Sequence, residues 1–409
     1  MSHHIEKPTD ITVPPTSLWA KLPMIGGAMA VVGLGATLGS AFGHDKARAM
    51  FSYLFAYELV LSIALGALGF VLIQHLVRAG WSIVVRRVAE TAMATLPLFL
   101  LLWLPIGLLG YHELYPWTHE TDEILERKRW FLSDGFFFGR AGLYLIGWSA
   151  LSMFLYRASV KIDALTDHAE RDRLIRTVWK VSAGGIFFYG LTQSFQAVDW
   201  LMGLTPHWYS TIFGVYYFAG SILAMYAFVS LATMALQRAG MLKKAVTAEH
   251  YHDLGKFTFG HTVFWAYIAV SQLIIIWFGN IPEETEYYMA RLSGGWEVIS
   301  YALPVVNFFI PFLYLVSRHV KRHRTAFAVG CIYTLVMRVV DVYWLVLPSY
   351  GAHGEGHHEP HLAVHWLDVM AVVGVAGAFL AVFGWLMNRN KVIAIGDPRL
   401  EESLAHENY

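Results

Sequence analysis

Cysteine is almost missing from this chain: Cys331 is the only one in 409 residues. That excludes an intrachain disulfide, a cysteine-ligated zinc, an iron–sulfur cluster held by this chain alone and a covalently attached c-type haem. Charge is scarce as well. Charged residues make up 15% of the sequence, and 30 lysines and arginines balance 30 aspartates and glutamates. A chain without a basic excess offers no electrostatic footprint for DNA or RNA, so no nucleic acid is expected as a partner. The first fifteen positions are polar, include Pro8, Pro14 and Pro15, lack a cleavable signal pattern and read as a short loose tail.

Apolar residues are abundant. They account for 56% of the chain, and the mean hydropathy is +0.47, the composition of a protein that crosses a membrane repeatedly. A hydrocarbon core of about 30 Å needs about 20 residues of helix. Ten stretches satisfy that: 22–42, 49–76, 84–109, 136–156, 175–197, 210–236, 257–280, 296–316, 326–347 and 364–387. The expected fold is all-α and polytopic, a single integral membrane domain over 1–409 with ten transmembrane helices and membrane lipids as its surroundings.

The basic residues set an orientation. Of the 30 lysines and arginines, only Lys46, Arg48, Arg127, Lys128, Arg129 and Arg291 fall in one set of loops, and Arg140 and Arg338 lie within spans. The rest sit on the other side, with both termini, which the positive-inside rule makes cytoplasmic. The outer loops are acidic, with Glu113, Glu120, Asp122, Glu123 and Glu126 in one and Glu283, Glu284 and Glu286 in another. They are also aromatic: Trp117, Trp130, Trp200, Trp208, Trp277, Trp296, Trp344 and Trp366 stand near them. An interfacial belt is the plainer reading, a docking face for extramembrane partners the other.

Within the spans, the few ionisable residues are the functional candidates. Glu90 and His261 lie toward the cytoplasmic edge, Glu58 and Arg338 near the middle, and Asp134, Arg140, Asp199, Asp341 and Asp368 toward the outside. Carboxylates and histidine can take and release protons. Glu58, Glu90, Asp199, His261, Asp341 and Asp368 are therefore the proton-transfer candidates. Arg140 and Arg338 stay charged and are candidate charge partners. Structural readings stand beside these. Arg338 and Asp341, spaced i, i+3, form a packing ion pair; Glu90 pairs with Arg86 and Arg87 at the surface; Asp199 and His207 cap a short outer turn; and His261 is a hydrogen-bonded core histidine. His75 and His261 are a poor haem pair, so no haem is expected. The histidine run His353, His357, His358, His361 and His365 reads as a loop rather than a metal site.

Small residues and prolines add local expectations. Gly26, Gly27, Gly33, Gly35 and Gly39 favour close helix approach, with GxxxG-like spacing at Gly35 and Gly39, against the chain's own bundle or a partner subunit. Pro97, Pro105, Pro304 and Pro311 should kink their helices and free carbonyls. Residues 86–112 and 256–284 run alike, from a basic edge past an ionisable residue and a tryptophan to an acidic loop. That implies two similar four-helix bundles, 47–203 and 205–349, with the first and last helices peripheral.

Three segments resemble one family. They are DWLMGLTPHWYSTIFGVYYFAGS (199–221), LGKFTFGHTVFWAYIAVSQLIIIWFGNIPEETEYY (254–288) and RVVDVYWLVLPS (338–349). The family is the second, smaller polysulfide-reductase-like (NrfD-like) membrane subunit of bacterial alternative complex III, a quinol:cytochrome c oxidoreductase. The match is specific over the last seven helices and only general over the first three. The resemblance implies the bacterial inner membrane and, as partners, a larger NrfD-like subunit, an extracytoplasmic iron–sulfur subunit and c-type cytochrome subunits, with a terminal oxidase as a further candidate. It implies haem c and iron–sulfur clusters on those partners, none bound by this chain alone, and a quinone or quinol as the candidate ligand. The expected function is a proton-transfer path and docking surface without a complete redox site. A quinone-binding redox subunit, a secondary transporter and a structural anchor are the competing readings.

Overall fold

The computed structural model describes Pro8 and residues 11–43, 45–352 and 361–408. Among these residues every regular element is helical, and ten helices are long. They are α1 (Leu18–Ser40), α2 (Lys46–Leu76), α3 (Ile83–Leu114, in several pieces), α4 (Asp134–Ile162), α5 (His168–Trp200), α6 (Phe213–Arg238), α7 (Ala248–Gly279), α8 (Trp296–Leu315), α9 (Arg324–Val346) and α10 (Trp366–Arg389). Eight of them, all but α4 and α5, are long and apolar enough to cross a membrane, as a polytopic helical membrane protein requires. The other two span 29 and 33 residues, and α5 opens with a strongly polar stretch. Side-chain caps fix several starts. The Ser17 hydroxyl accepts from Ala20 N, and the Asp167 carboxylate accepts from Ala169 N at the entry to α5.

Helix α2 is the hub. It is buried over nearly its whole length and touches α3, α5, α6, α9 and α10. Successive contacts run from α2 through α3, α4 and α5 back to α2, and from α6 through α7, α8 and α9 back to α6. The helices α1 and α10 lie along each other on the flank of α2.

The prolines act on hydrogen bonding as their chemistry demands. In α8 the backbone widens into a π turn over Pro304–Phe309, where Ile310 N reaches back to Val305 O. In that register Val306 O would need an N–H from position 311, and Pro311 has none. The Tyr333 hydroxyl of α9 donates to Val306 O at 2.5 Å instead. In α3, Ile106 N bonds Trp103 O, and the freed Leu102 O accepts from the Tyr53 hydroxyl at 2.6 Å. Each irregular turn is thus pinned to a neighbouring helix by a tyrosine.

Of the glycines of α1, Gly27, Gly35 and Gly39 face away from the rest of the chain. The close approach uses Gly26 and Gly33, one heptad apart, against the backbone at Gly374 and Gly377 of α10. A Cβ at either position of α1 would overlap α10 backbone atoms. The aromatic belt is also redistributed. Trp117, Trp200, Trp208, Trp296 and Trp344 are buried, whereas Trp130, Trp277 and Trp366 are exposed.

Gly33→Leu is expected to pry α1 from α10 and lower stability by about 1–3 kcal/mol, the usual overpacking cost, while Gly35→Leu changes little. Thermal unfolding of both variants in one detergent measures the difference.

Candidate functional site

The five candidate carboxylates gather, with their partners, into four clusters. Near the centre, on α2, Glu58 is fully buried. A rise of about 1.5 Å per residue puts it roughly 18 Å inside the acid- and aromatic-rich end of that helix. The Gln196 amide of α5 donates to both carboxylate oxygens, at 3.0 and 2.9 Å, and the Tyr217 hydroxyl of α6 donates to the Glu58 carbonyl at 2.8 Å. Glu58 forms no ion pair among the described residues, although Arg338 is close enough to act on it electrostatically.

Beside it, Arg338 Nη1 of α9 meets Asp341 at 2.6 Å, and the Tyr216 hydroxyl of α6 donates to the other Asp341 oxygen. Arg338 Nε reaches Ser62 of α2 at 3.4 Å, and the guanidinium lies 5.0 Å from the Tyr217 ring centre. Gly220 makes room for this pair, since a Cβ there would collide with Arg338 Nη1.

Two further clusters lie toward the acid- and aromatic-rich end. Arg140 of α4 grips Asp199 of α5 in a fork, Nε at 2.8 Å and Nη2 at 2.7 Å. The Tyr144 hydroxyl donates to the same carboxylate at 2.8 Å. The Arg140 guanidinium sits 3.9 Å from the Phe131 ring and 4.3 Å from that of Phe136. On the other side of the hub, Arg48 of α2 pairs with Asp368 of α10 at 2.5 Å, joined by the Ser52 and Tyr343 hydroxyls at 2.6 and 3.2 Å. Arg, Asp and Tyr therefore recur together three times.

The fourth cluster lies at the Lys/Arg-rich end. Glu90 of α3 takes Arg86 Nε at 2.8 Å, Arg87 Nε at 2.9 Å and the Ser159 hydroxyl of α4 at 2.6 Å. The two arginines continue to Asp397 and Asp163, each at 2.8 Å. Beyond the end of α4, burial pushes the Asp163 carboxyl up against the pull of Arg87. Burial acts the same way on Asp397, past α10, but Arg86 and the Arg399 backbone N–H outweigh it and hold that carboxyl below its usual range.

Several sequence expectations are corrected by this geometry. Glu90 is no surface pair: it is fully buried with both arginines. Asp199 caps nothing, being clamped by Arg140, and His207 binds Asp122 at 2.5 Å rather than capping the turn. Two of the few basic residues at the acid- and aromatic-rich end, Arg48 and Arg291, are buried. Arg48 lies in the first turn of α2, and Arg291 is buried, donating to the carbonyls of Tyr287, Trp344 and Leu345 at 2.9–3.2 Å. His261 joins none of the four clusters. It is half-exposed on α7, its Nδ1 bonds Phe257 O at 2.8 Å, and its ring rests on Tyr226. Asp134 accepts from the Tyr111 hydroxyl at 2.8 Å. His353, His357 and His358 lie outside the described residues, and His365 caps α10. Among the described residues no group of three or more His, Cys, Asp or Glu is placed to hold a metal ion.

Sequence reasoning missed Gln196, Tyr216, Tyr217 and the α5 face behind them. Gln193, Gln196, Tyr189 and Ser182 are all buried. The Gln196 Oε1, Tyr189 Oη and Ser182 Oγ atoms have no protein partner. A signal was present: Gln196-Ala-Val-Asp199 in α5 and Arg338-Val-Val-Asp341 in α9 share one spacing. No protein-family model and no curated protein matches the chain, so its site is read from its own geometry.

Asp341→Asn strands Arg338 and is expected to cost on the order of 3–5 kcal/mol, whereas substitutions of His361 cost little. Replacing the pair together, Arg338→Met with Asp341→Leu, should recover most of the loss. Chemical unfolding of the three variants tests the ordering.

Proposed function

We propose that the chain is the proton-conducting membrane subunit of a quinol-oxidising respiratory complex. The resemblance to the smaller NrfD-like subunit of alternative complex III supplies the setting: the bacterial inner membrane, ten spans in two four-helix bundles, both termini cytoplasmic. The partners on this reading are a larger NrfD-like subunit, an iron–sulfur subunit and c-type cytochromes, which carry the haem and clusters and dock on the acidic, aromatic outer loops.

One observation carries the proton reading. Of the five candidate carboxylates, Asp199, Asp341, Asp368 and Glu90 are each held by arginine, and Glu58 is not. An arginine-clamped carboxylate is fixed as an anion by its partner; one held by an amide is served in both states. The Gln196 Nε2 donates to the charged form, and the unpartnered Oε1 can accept from the neutral form after a turn of the amide. From Gln196, beside Glu58, the buried polar residues Gln193, Tyr189 and Ser182 continue along α5 toward the Lys/Arg-rich end. Buried polar atoms without a protein partner are places where a protein holds water, and water is the medium that would pass protons along that face.

A second reading, quinone binding by this chain, has its own observation. A cavity of about 520 Å³ with mostly apolar walls lies between α7 and α8 and reaches Tyr216, the hydroxyl partner of Asp341. Trp265 lines it, buried, and its Nε1 lies close enough to Asp341 to act on that carboxylate, a donor that a quinone carbonyl would share.

The two readings separate experimentally. In the first, Glu58→Gln in the assembled complex slows or uncouples proton movement in vesicles during quinol oxidation; unchanged stoichiometry and rate favour a structural anchor. In the second, Trp265→Phe weakens binding of a short-chain quinone analogue about fivefold, the loss of one hydrogen bond. Equal affinity in a quinone-titration fluorescence assay rules the cavity out as a headgroup site.

A further inference from the structure

A cavity of about 400 Å³ opens at the Lys/Arg-rich end, among the ends of α2, α4 and α5 and the segment that follows α10. Four arginines line it, Arg78, Arg86, Arg176 and Arg399, against two carboxylates, Asp172 and Asp397. The donors outnumber the acceptors by more than that count implies. Asp397 is already used on both oxygens, by Arg86 Nη2 at 2.8 Å and by the Arg399 backbone N–H at 3.0 Å. Arg86 is buried, spends Nε on Glu90 and Nη2 on Asp397, and keeps Nη1 without a partner. His75 likewise keeps Nε2 buried and unpartnered. Neither Arg78 nor Arg176 pairs with a carboxylate among the described residues.

The backbone is also committed to this cavity. Arg78 adopts φ +49°, a left-handed conformation that costs an L-residue free energy. It lays its guanidinium 5.3 Å from the Trp179 ring centre, and its carbonyl accepts from Arg399 Nη1. Apart from Ser159, the rest of the wall is apolar, with Leu155, Ile162, Val178 and Trp179. Surplus guanidinium donors above an apolar wall, at the helix ends, match a group that is anionic at one end and hydrocarbon at the other.

We propose that this cavity binds a phosphate-bearing anion, the headgroup of an anionic phospholipid, with the wall of α4 and α5 receiving the first part of its acyl chains. The inference does not depend on the proton or quinone readings.

The test uses the full chain in phosphatidylcholine nanodiscs, with phosphatidylglycerol titrated in and inorganic phosphate titrated separately in detergent. Thermal stability and native mass spectrometry are the readouts. Phosphatidylglycerol is expected to be retained and to raise Tm, and phosphate alone to act only weakly. Arg78→Gly keeps the positive φ without strain, and Arg176 is exposed, so neither Arg78→Gly nor Arg176→Gln threatens the fold. Each should weaken the phosphatidylglycerol effect about fivefold, the factor one basic side chain gives at an anionic surface. Equal stability in both lipids, or an effect unchanged in the double variant, overturns the site. Saturation by inorganic phosphate with no lipid preference overturns the headgroup assignment.

Discussion

A charge placed deep among packed apolar helices must have its countercharge and hydrogen bonds supplied by the protein, because nothing else there supplies them cheaply. The rest of this structure depends on how that constraint is met. Arg140 with Asp199, Arg338 with Asp341 and Arg48 with Asp368 are each completed by a tyrosine hydroxyl, from Tyr144, Tyr216 and Tyr343. Each unit joins helices whose apolar faces alone would not fix their rotation: α4 to α5, α9 to α6, and α2 to α9 and α10. The Glu90 cluster does the same at the other end for α3, α4 and the segment after α10. Glycines complete the arrangement by yielding space, as Gly220 does for Arg338.

Against that background Glu58 is an exception with consequences. It sits on the hub helix with an amide for a partner where the other four candidate carboxylates have a guanidinium. Its neighbours span both helical rings: Gln196 on α5, Tyr217 on α6, and Ser62 and Arg338 a turn away. On the proposed reading, the arginine-held carboxylates are scaffold and field, and Glu58 is the group left free to change its protonation. The tyrosines that pin the irregular turns of α3 and α8 serve a related purpose. Carbonyls released at the irregular turns are given a donor, which leaves neither of them as an unsatisfied buried acceptor.

Much of the fold was legible in the sequence and much of the site was not. Ten long helices lie on the ten stretches, eight of them apolar enough to span a membrane, because length and hydropathy are local properties. The disturbances at Pro105, Pro304 and Pro311 were legible because proline acts within its own helix. Partnership was not. Helices that are apolar on every side carry little periodic signal for which face turns inward. That is why the glycines of α1 could not be assigned to a partner helix, and why Asp199 and His207 passed for caps. Arg48 was placed outside its span because an edge defined by hydropathy cuts off the polar first turn of α2. The partners of Glu58 were partly readable. The shared spacing of Gln196 to Asp199 and Arg338 to Asp341 marks a polar residue one turn from an aspartate in two helices that occupy corresponding places in the two rings.

Infrared difference spectroscopy over a pH titration of the full chain in lipid tests most directly whether Glu58 is the exchangeable acid. The account predicts a carboxylic-acid C=O stretch that comes and goes with pH, disappears in Glu58→Gln, and shifts when Gln196→Leu removes its amide partner. A band that survives Glu58→Gln, or no carboxylic-acid band at any pH, would contradict it.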